Sequence, residues 1–218
     1  RESMESRGLF ITVEGGEGVG KSTNMAYMQQ HLTDLGIDLL VTREPGGTAL
    51  GEDIRELLLR PRQESMASGA ELLLIFAARA QHLEQVVEPA LANGRWVLCD
   101  RFTDATYAYQ GGGRGLAVTM IRELEQLVQG ELRPDYTLLL DAPVAVGMSR
   151  ARERGELDRF ELEQTAFFER VRASYLQLAS ESSGRYRVVD ASKELVEVEQ
   201  QLQEICAELA TCWGVRRR

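Results

Sequence analysis

The sequence predicts an α/β protein, a five-stranded parallel sheet with helices on both faces. Three observations lead there. Short apolar runs rich in β-branched residues alternate with longer amphipathic stretches, the order of a parallel sheet covered on both sides. All five runs close on an acidic residue or Thr, at the strand end where open sheets of this class bind ligands. No internal repeat, low-complexity tract or Pro/Ser-rich linker interrupts the alternation, so one domain is expected over residues 8–214.

In chain order, strand Leu9–Glu14 leads into helix Lys21–Leu35, and strand Asp38–Thr42 into helix Leu50–Leu59. A long helix, Gly69–Ala92, opens with Ser68 and Glu71 in capping-box spacing. Strand Trp96–Asp100 ends on an Asp-Arg pair, and helix Ala117–Gln129 follows. The run Gly111–Gly113 with Arg114 follows a helical segment rather than a strand, so it reads as a tight turn and not as a phosphate loop. Tyr107, just before it, reads as a packing residue. Strand Tyr136–Asp141 precedes helix Pro143–Arg152, which Asp141 is expected to cap, since Pro suits a helix's first turn. Helix Glu163–Glu181, strand Tyr186–Asp190 and helix Lys193–Cys212 complete the order. His31 and His82 lie in helices without partners at metal-ligand spacing and read as plain helix residues.

Composition excludes several classes. Of 218 residues, 44% are hydrophobic and 27% charged, the mix of a chain with a proper core rather than a disordered or fibrous one. The best apolar run, Leu72–Ala78, stops at Arg79, far short of the roughly 18 residues of a membrane span. The start, Arg1-Glu2-Ser3-Met4, has no apolar secretory core; residues 1–7 read as an N-terminal tail, with a short remnant ahead of a natural Met4. Cys99, Cys206 and Cys212 are odd in number and lack CxxC spacing, which indicates neither a disulfide framework nor a zinc site and suits a reducing cytoplasm. A net charge of −9 speaks against nucleic-acid or membrane-surface partners. Arginines nevertheless gather locally, at Arg150, Arg152, Arg154 and Arg159 and around the glycine run at Arg101 and Arg114, which points to a small polyanion as ligand.

Gly15-Gly16-Glu17-Gly18-Val19-Gly20-Lys21-Ser22 fits GxxxxGK[ST] at every fixed position, with a buried-type strand before it and a helix after. The glycines let backbone N–H groups wrap a phosphate, the helix start adds its positive dipole end, and Lys21 reaches the β- and γ-phosphates. Ser22 is placed to ligate Mg²⁺. A GTPase would carry an N-K-x-D base-reading motif, and none is present. Asp100 is the second candidate metal ligand. Arg101 beside it puts a cation at a strand's carboxyl end, where it must face a ligand or be paired.

The order of the phosphate loop, Thr42-Arg43-Glu44-Pro45-Gly46-Gly47-Thr48, Phe76-Ala77-Ala78-Arg79, Asp100-Arg101-Phe102 and Tyr107-Ala108-Tyr109-Gln110-Gly111-Gly112-Gly113-Arg114 resembles the bacterial thymidylate kinases over nearly the whole chain. The resemblance implies a P-loop kinase fold, γ-phosphoryl transfer from ATP to dTMP with Mg²⁺, and a homodimer. It assigns ATP contacts to Gly15, Gly16, Glu17, Gly18, Val19, Gly20, Lys21, Ser22 and Thr23. It assigns the acceptor phosphate to Arg101, Arg43 and Arg55, whose planar forks suit phosphate oxygens. For the base it implies stacking on Phe76, hydrogen bonds from Arg79, Thr106 and Gln110, and packing by Pro45. Relatives often carry the stacking aromatic four residues before the arginine, where this chain has Ile75. Tyr109 matches a ring that crowds the sugar 2′ position. Glu17 would orient the acceptor's 3′-hydroxyl or a closing-segment arginine. The phosphate loop lacks Arg, so the chain resembles members that keep the catalytic arginine in a lid, here at about 150–160, with Arg150 or Arg154 reaching the transferred group. A kinase for another monophosphate, such as dCMP or UMP, and a non-catalytic ATP switch are the rival readings; a switch has no use for the second set of arginines.

Overall fold

The protein's structure, a computed structural model, describes residues 7–154 and 157–216. Strands β1 (Phe10–Glu14), β2 (Leu39–Arg43), β3 (Trp96–Asp100), β4 (Tyr136–Asp141) and β5 (Tyr186–Asp190) form one sheet in the order β2-β3-β1-β4-β5, every neighbour parallel. Its central strand, Phe-Ile-Thr-Val-Glu, is buried along its whole length, which explains why it reads as a near-continuous apolar run. β1 sits between β3 and β4, with Ile11 in register with Leu98 and Tyr136.

Side-chain alternation sorts the core into two layers. Ile11, Val13, Leu98, Leu138 and Leu140 face α1 (Lys21–Asp34) and the last helix, Leu195–Arg216, where Met28, Leu32, Leu202 and Leu209 pack on them. Phe10, Val97 and Cys99 face the opposite layer with Leu83 and Val87, and Leu139 meets Phe167, Val171 and Tyr175. These come from α3 (Ser68–His82) and its continuation and from the helix Thr165–Glu181. Helices therefore cover both faces, as the sequence predicts.

The differences are local and have causes. Between α2 (Ala49–Leu59), capped by the Thr48 hydroxyl accepting from Gly51 N–H at 2.9 Å, and β3, the long helix is not uniform. After α3 the chain widens into a π turn, Leu83–Val87, where Glu88 N–H reaches the Leu83 carbonyl, before α4 (Glu88–Ala92). Pro89 has no N–H to donate and would crowd the preceding turn of a regular helix; the wider turn absorbs both defects. Ser68 lies inside α3 with Ala67 at the cap position, and no side chain caps it, so the capping box is not formed. The glycine run is not a tight turn either. α5 (Thr103–Thr106) runs into a second π turn, Tyr107–Gly113, which carries all three glycines. Gly113 is buried with no room for a side chain, since an added Cβ would lie 2.5 Å from the Phe167 ring. Beyond lie α6 (Val118–Gln129), α7 (Val144–Arg154), α8 (Thr165–Glu181) and α9 (Leu195–Arg216).

Candidate active site

A cleft of about 470 Å³ opens above the carboxyl ends of β1, β2 and β3, within the usual size range of a small-molecule site. At one end stands the phosphate loop. Val19 anchors it in the core, and Gly18, at φ +67°, leaves no room for a side chain: an added Cβ would sit 1.8 Å from the Gly147 carbonyl oxygen of α7. Lys21 is folded back on the loop, donating from Nζ to the carbonyls of Gly16 (3.1 Å) and Gly15 (3.4 Å). Burial and the nearby Arg101 lower its pKa. Ser22 and Thr23 open α1 and line the same cleft.

Arg101 occupies the centre. Among the described residues it alone combines a side chain with a positive φ, +66°, a left-handed conformation that costs energy unless its surroundings impose it. They do. Arg101 N–H donates to the Val13 carbonyl (3.0 Å), and the next amide, Phe102 N–H, donates to Glu14 Oε1 (2.7 Å). Arg101 Nη2 then donates to Glu17 Oε1 (2.6 Å) and to the Tyr109 hydroxyl (2.9 Å), while Tyr109 itself donates to Glu17 (2.7 Å). Burial opposes ionisation of Glu17, but Arg101, Lys21 and the hydrogen bonds outweigh it and hold its carboxyl at about 2. Among the described residues Glu17 thus holds Arg101 and Tyr109, not a closing-segment arginine. Arg101 itself is pushed further up despite its burial, chiefly by Glu17.

The far end of the cleft is organised by a buried ion pair. Arg79 Nε donates to Glu44 Oε2 (2.7 Å) and Nη2 to the Thr106 hydroxyl (3.1 Å), while Nη1 is buried and has no hydrogen-bond partner among the described residues. The other Glu44 oxygen accepts from His82 Nδ1 (2.9 Å), whose Nε2 meets the Thr42 hydroxyl (2.7 Å). A carboxylate can only accept, so His82 carries a proton on Nδ1. His82 is therefore no plain helix residue: it ties the Thr42–Thr48 loop to α3. Gln110 also lines the cleft and donates from Nε2 to Glu71 (2.8 Å), a fully buried carboxylate. Glu71 turns inward because Arg114 (3.2 Å) and Arg159 (2.7 Å) offer it charged partners that no helix amide matches.

The remaining predicted residues divide. Arg55 lines the cleft and donates to the Pro45 carbonyl (3.1 Å), and Pro45 lines it too. Arg43 is half exposed and paired with Glu52 (2.7 Å); it lines the neighbouring groove instead. Phe76 does not line the cleft. It packs with Leu72 and Ile121, with the Arg79 guanidinium 4.8 Å from its ring centre, so it supports Arg79 from behind while Ile75 forms the wall. A residue one position along a helix points about 100° away, which is how three-residue spacing to Arg79 misplaces Phe76. Arg150 lines the cleft and donates to the Ala191 carbonyl (2.9 Å). Gly155, Glu156 and the Arg154 side chain, part of the predicted lid, lie outside the described residues. Asp141 does not cap α7; it binds Arg172 of α8 through both oxygens (2.8 and 2.9 Å). Glu14, Glu44, Glu71 and His82 are the site residues that sequence reasoning missed. Glu44 alone left a signal, as a carboxylate inside an arginine-and-glycine motif.

Metal fit rests on Asp100. Its Oδ1 is buried and has no hydrogen-bond partner among the described residues, and it lines the cleft together with Ser22, an oxygen pair suited to Mg²⁺. Among the described residues no three or more His, Cys, Asp and Glu side chains converge as a metal cage. Mg²⁺ needs none, since it keeps several waters and relies on substrate phosphates.

A phosphate loop opening into an acceptor pocket lined with arginines, on this parallel sheet, defines a P-loop kinase of nucleoside monophosphates. The family model for thymidylate kinase matches residues 13–202. The chain is 60% identical over 202 residues to a thymidylate kinase of Ectopseudomonas mendocina, covering 93% of this chain and 96% of that one. It is 61% identical over 198 residues to one from Pseudomonas putida, covering 91% and 94%. The crystal structure of thymidylate kinase from Ehrlichia chaffeensis superposes with a TM-score of 0.74 at 30% identity, covering 91% of this chain and 98% of that one. The chain belongs to the thymidylate kinase family, whose reaction is phosphorylation of dTMP.

Proposed function

We propose that the protein passes the γ-phosphoryl group of ATP to the phosphate of dTMP across this cleft. The phosphate loop, Gly15 to Thr23, holds the donor, and Arg79, Thr106, Gln110, Pro45 and Tyr109 hold the acceptor nucleoside. Arg101, with Arg55 and more peripherally Arg43, takes the acceptor phosphate. The observation that carries this reading is that Lys21, Arg101 and Arg79 line one cleft, with Arg79 Nη1 buried and without a hydrogen-bond partner among the described residues.

An acceptor phosphate oxygen forms the new bond to the γ-phosphorus as the bond to the β-bridging oxygen breaks, and ADP leaves. The attacking oxygen is already ionised, so no general base is needed; Glu17, held as a carboxylate, is free to orient Arg101 and Tyr109 instead. Lys21 and Arg101 offset charge that would otherwise keep the two phosphates apart. Ser22 and Asp100 would hold Mg²⁺, which neutralises phosphate oxygens when bound. Arg150, and Arg154 from the lid, would complete the cation shell and exclude water on closure.

We read the assembly as a homodimer, a reading supported by exposed Leu73 on α3 and Leu127 on the adjacent α6. Sedimentation at twice the chain mass is the expected result. The free thiols Cys99, Cys206 and Cys212 support a reducing, cytoplasmic setting, and among the described residues no helix is long and apolar enough to cross a membrane. The central test is turnover on a panel of monophosphates at fixed ATP. Preference for dTMP is expected, and Lys21→Ala or Arg101→Ala should lower kcat at least a hundredfold with the fold retained. Preference for another monophosphate, or near-normal turnover in either variant, would refute the assignment.

A further inference from the structure

We propose that Glu71 sets the base specificity of the pocket by dictating which way the Gln110 amide faces. This rests on the base-site reading given above and goes one layer behind it. An amide can present either a donor or an acceptor to a ligand, and its choice is made by what binds the other end. Here the other end is bound by a carboxylate. Glu71 is fully buried, and its Oε1 accepts from Gln110 Nε2 at 2.8 Å. Arg114 and Arg159 pair with the same carboxylate, at 3.2 and 2.7 Å. Carboxylate oxygens ringed by these donors accept, so the amide nitrogen is the end of Gln110 that faces them. The amide oxygen is left for the cleft that Gln110 lines, and among the described residues it has no partner.

The second half of the code is Arg79. Glu44 and Thr106 fix its guanidinium, and Nη1 is left as a buried donor with no partner among the described residues. Thr106, which accepts from Arg79, is four residues ahead of Gln110 on the same helical stretch, so both groups belong to one wall. The pocket thus offers a donor beside an acceptor. Thymine and uracil present the complement, the O4 carbonyl beside N3–H. Cytosine presents the reverse, an amino group beside a bare N3, and would leave both protein groups facing like partners. Sites built on such pairing reject the mismatched analogue strongly, because buried polar groups are stranded.

Glu71→Gln removes the constraint, because an amide at 71 can donate and lets Gln110 turn its nitrogen to the cleft. The measurement is kcat/KM for dTMP, dUMP and dCMP at saturating ATP. The expected result is a fall of tenfold or more in the dTMP-to-dCMP ratio. The dTMP-to-dUMP ratio should stay within about twofold, since both bases share O4 and N3–H, and KM for ATP should not move. Arg159→Met removes one of the two ion pairs but leaves Arg114 and the Gln110 contact in place, and should keep the wild-type ratio. The exchange Glu71→Gln with Gln110→Glu forces an acceptor back towards the base and should restore preference for dTMP; it also carries the test if Glu71→Gln alone does not fold. An unchanged ratio in Glu71→Gln, equal losses on all three substrates, or an exchange variant without the preference would overturn the role of Glu71. A wild-type protein that does not prefer dTMP over dCMP would instead overturn the base-site reading beneath it.

Discussion

Glu14 lies one strand residue before the phosphate loop, fully buried, with its oxygens accepting from Phe102 N–H and from the Tyr175 hydroxyl at 2.8 Å. It clamps the strained backbone that carries Arg101 to the central strand. Burial, together with the negative Asp104, pushes its carboxyl up to about 8, against the pull of those hydrogen bonds and of Arg101. The folded protein therefore keeps a proton that the unfolded chain releases near the usual 4.5. It follows that stability contributed by this group is full below about pH 4.5 and is lost as the pH rises towards 8, at up to about 1.4 kcal/mol per pH unit. Chemical unfolding at a series of pH values should show that slope in the wild type and a flatter profile in Glu14→Gln. Identical slopes would mean that Glu14 is ionised in the fold. Arg79 makes the complementary case, a cation buried with Glu44 at 2.7 Å. Glu44→Ala leaves it uncompensated and should cost about 3–5 kcal/mol, read as a lowered unfolding midpoint, whereas the exposed Arg43–Glu52 pair should contribute under about 1 kcal/mol to the same measurement.

At the scale of elements, the phosphate loop and α7 meet backbone to backbone. A Cβ on Gly147 would lie 2.3 Å from the Glu17 carbonyl oxygen, a contact in which neither side has a flexible group to move. Gly147→Ala must therefore separate α7 from the phosphate loop. A rise in KM for ATP of about tenfold and a loss of about 1–3 kcal/mol are expected, the latter visible as a drop of several degrees in Tm; an unaltered KM for ATP would show that this packing does not shape the donor site. The two π turns follow the same logic of local accommodation. One absorbs Pro89, and the other lets three glycines pass beneath α8, where Arg170 donates to the Gly113 carbonyl at 2.8 Å. Helical periodicity read from side chains cannot distinguish a π turn from an α turn over five residues, so the long helix reads as uniform in sequence.

For the whole molecule, the sheet order places the site. β1 is flanked by β3 on one side and β4 on the other; the chain runs from β1 to β2 and back to β3 on one side, then crosses to β4 and β5 on the other, and this switch opens a crevice above the carboxyl ends. Ligands that bridge this crevice tie β1, β3 and α3 together. dTMP at about a hundred times its Kd should stabilise the fold by about 2.7 kcal/mol, and Arg79→Met should lose most of that shift in a thermal scan while retaining the response to ATP. The succession of strands and helices along the chain, the phosphate loop and the Asp100–Arg101 pair were legible in the sequence, because each rests on local spacing or on a contiguous motif, and the family resemblance pointed to Arg79 and Gln110, which line the cleft. Glu71, His82 and Glu14 were not, for they act on residues 39, 38 and 88 positions away in the chain. Nor was the choice between Ile75 and Phe76, adjacent residues on α3 of which the packing turns the first to the cleft and the second to Leu72 and Ile121. From the sequence alone come the five strands, most of the helices and the chemistry of the phosphate loop, governed by neighbours along the chain. Which way a buried carboxylate turns depends on partners that only folding brings near, and so the tertiary structure alone decides it.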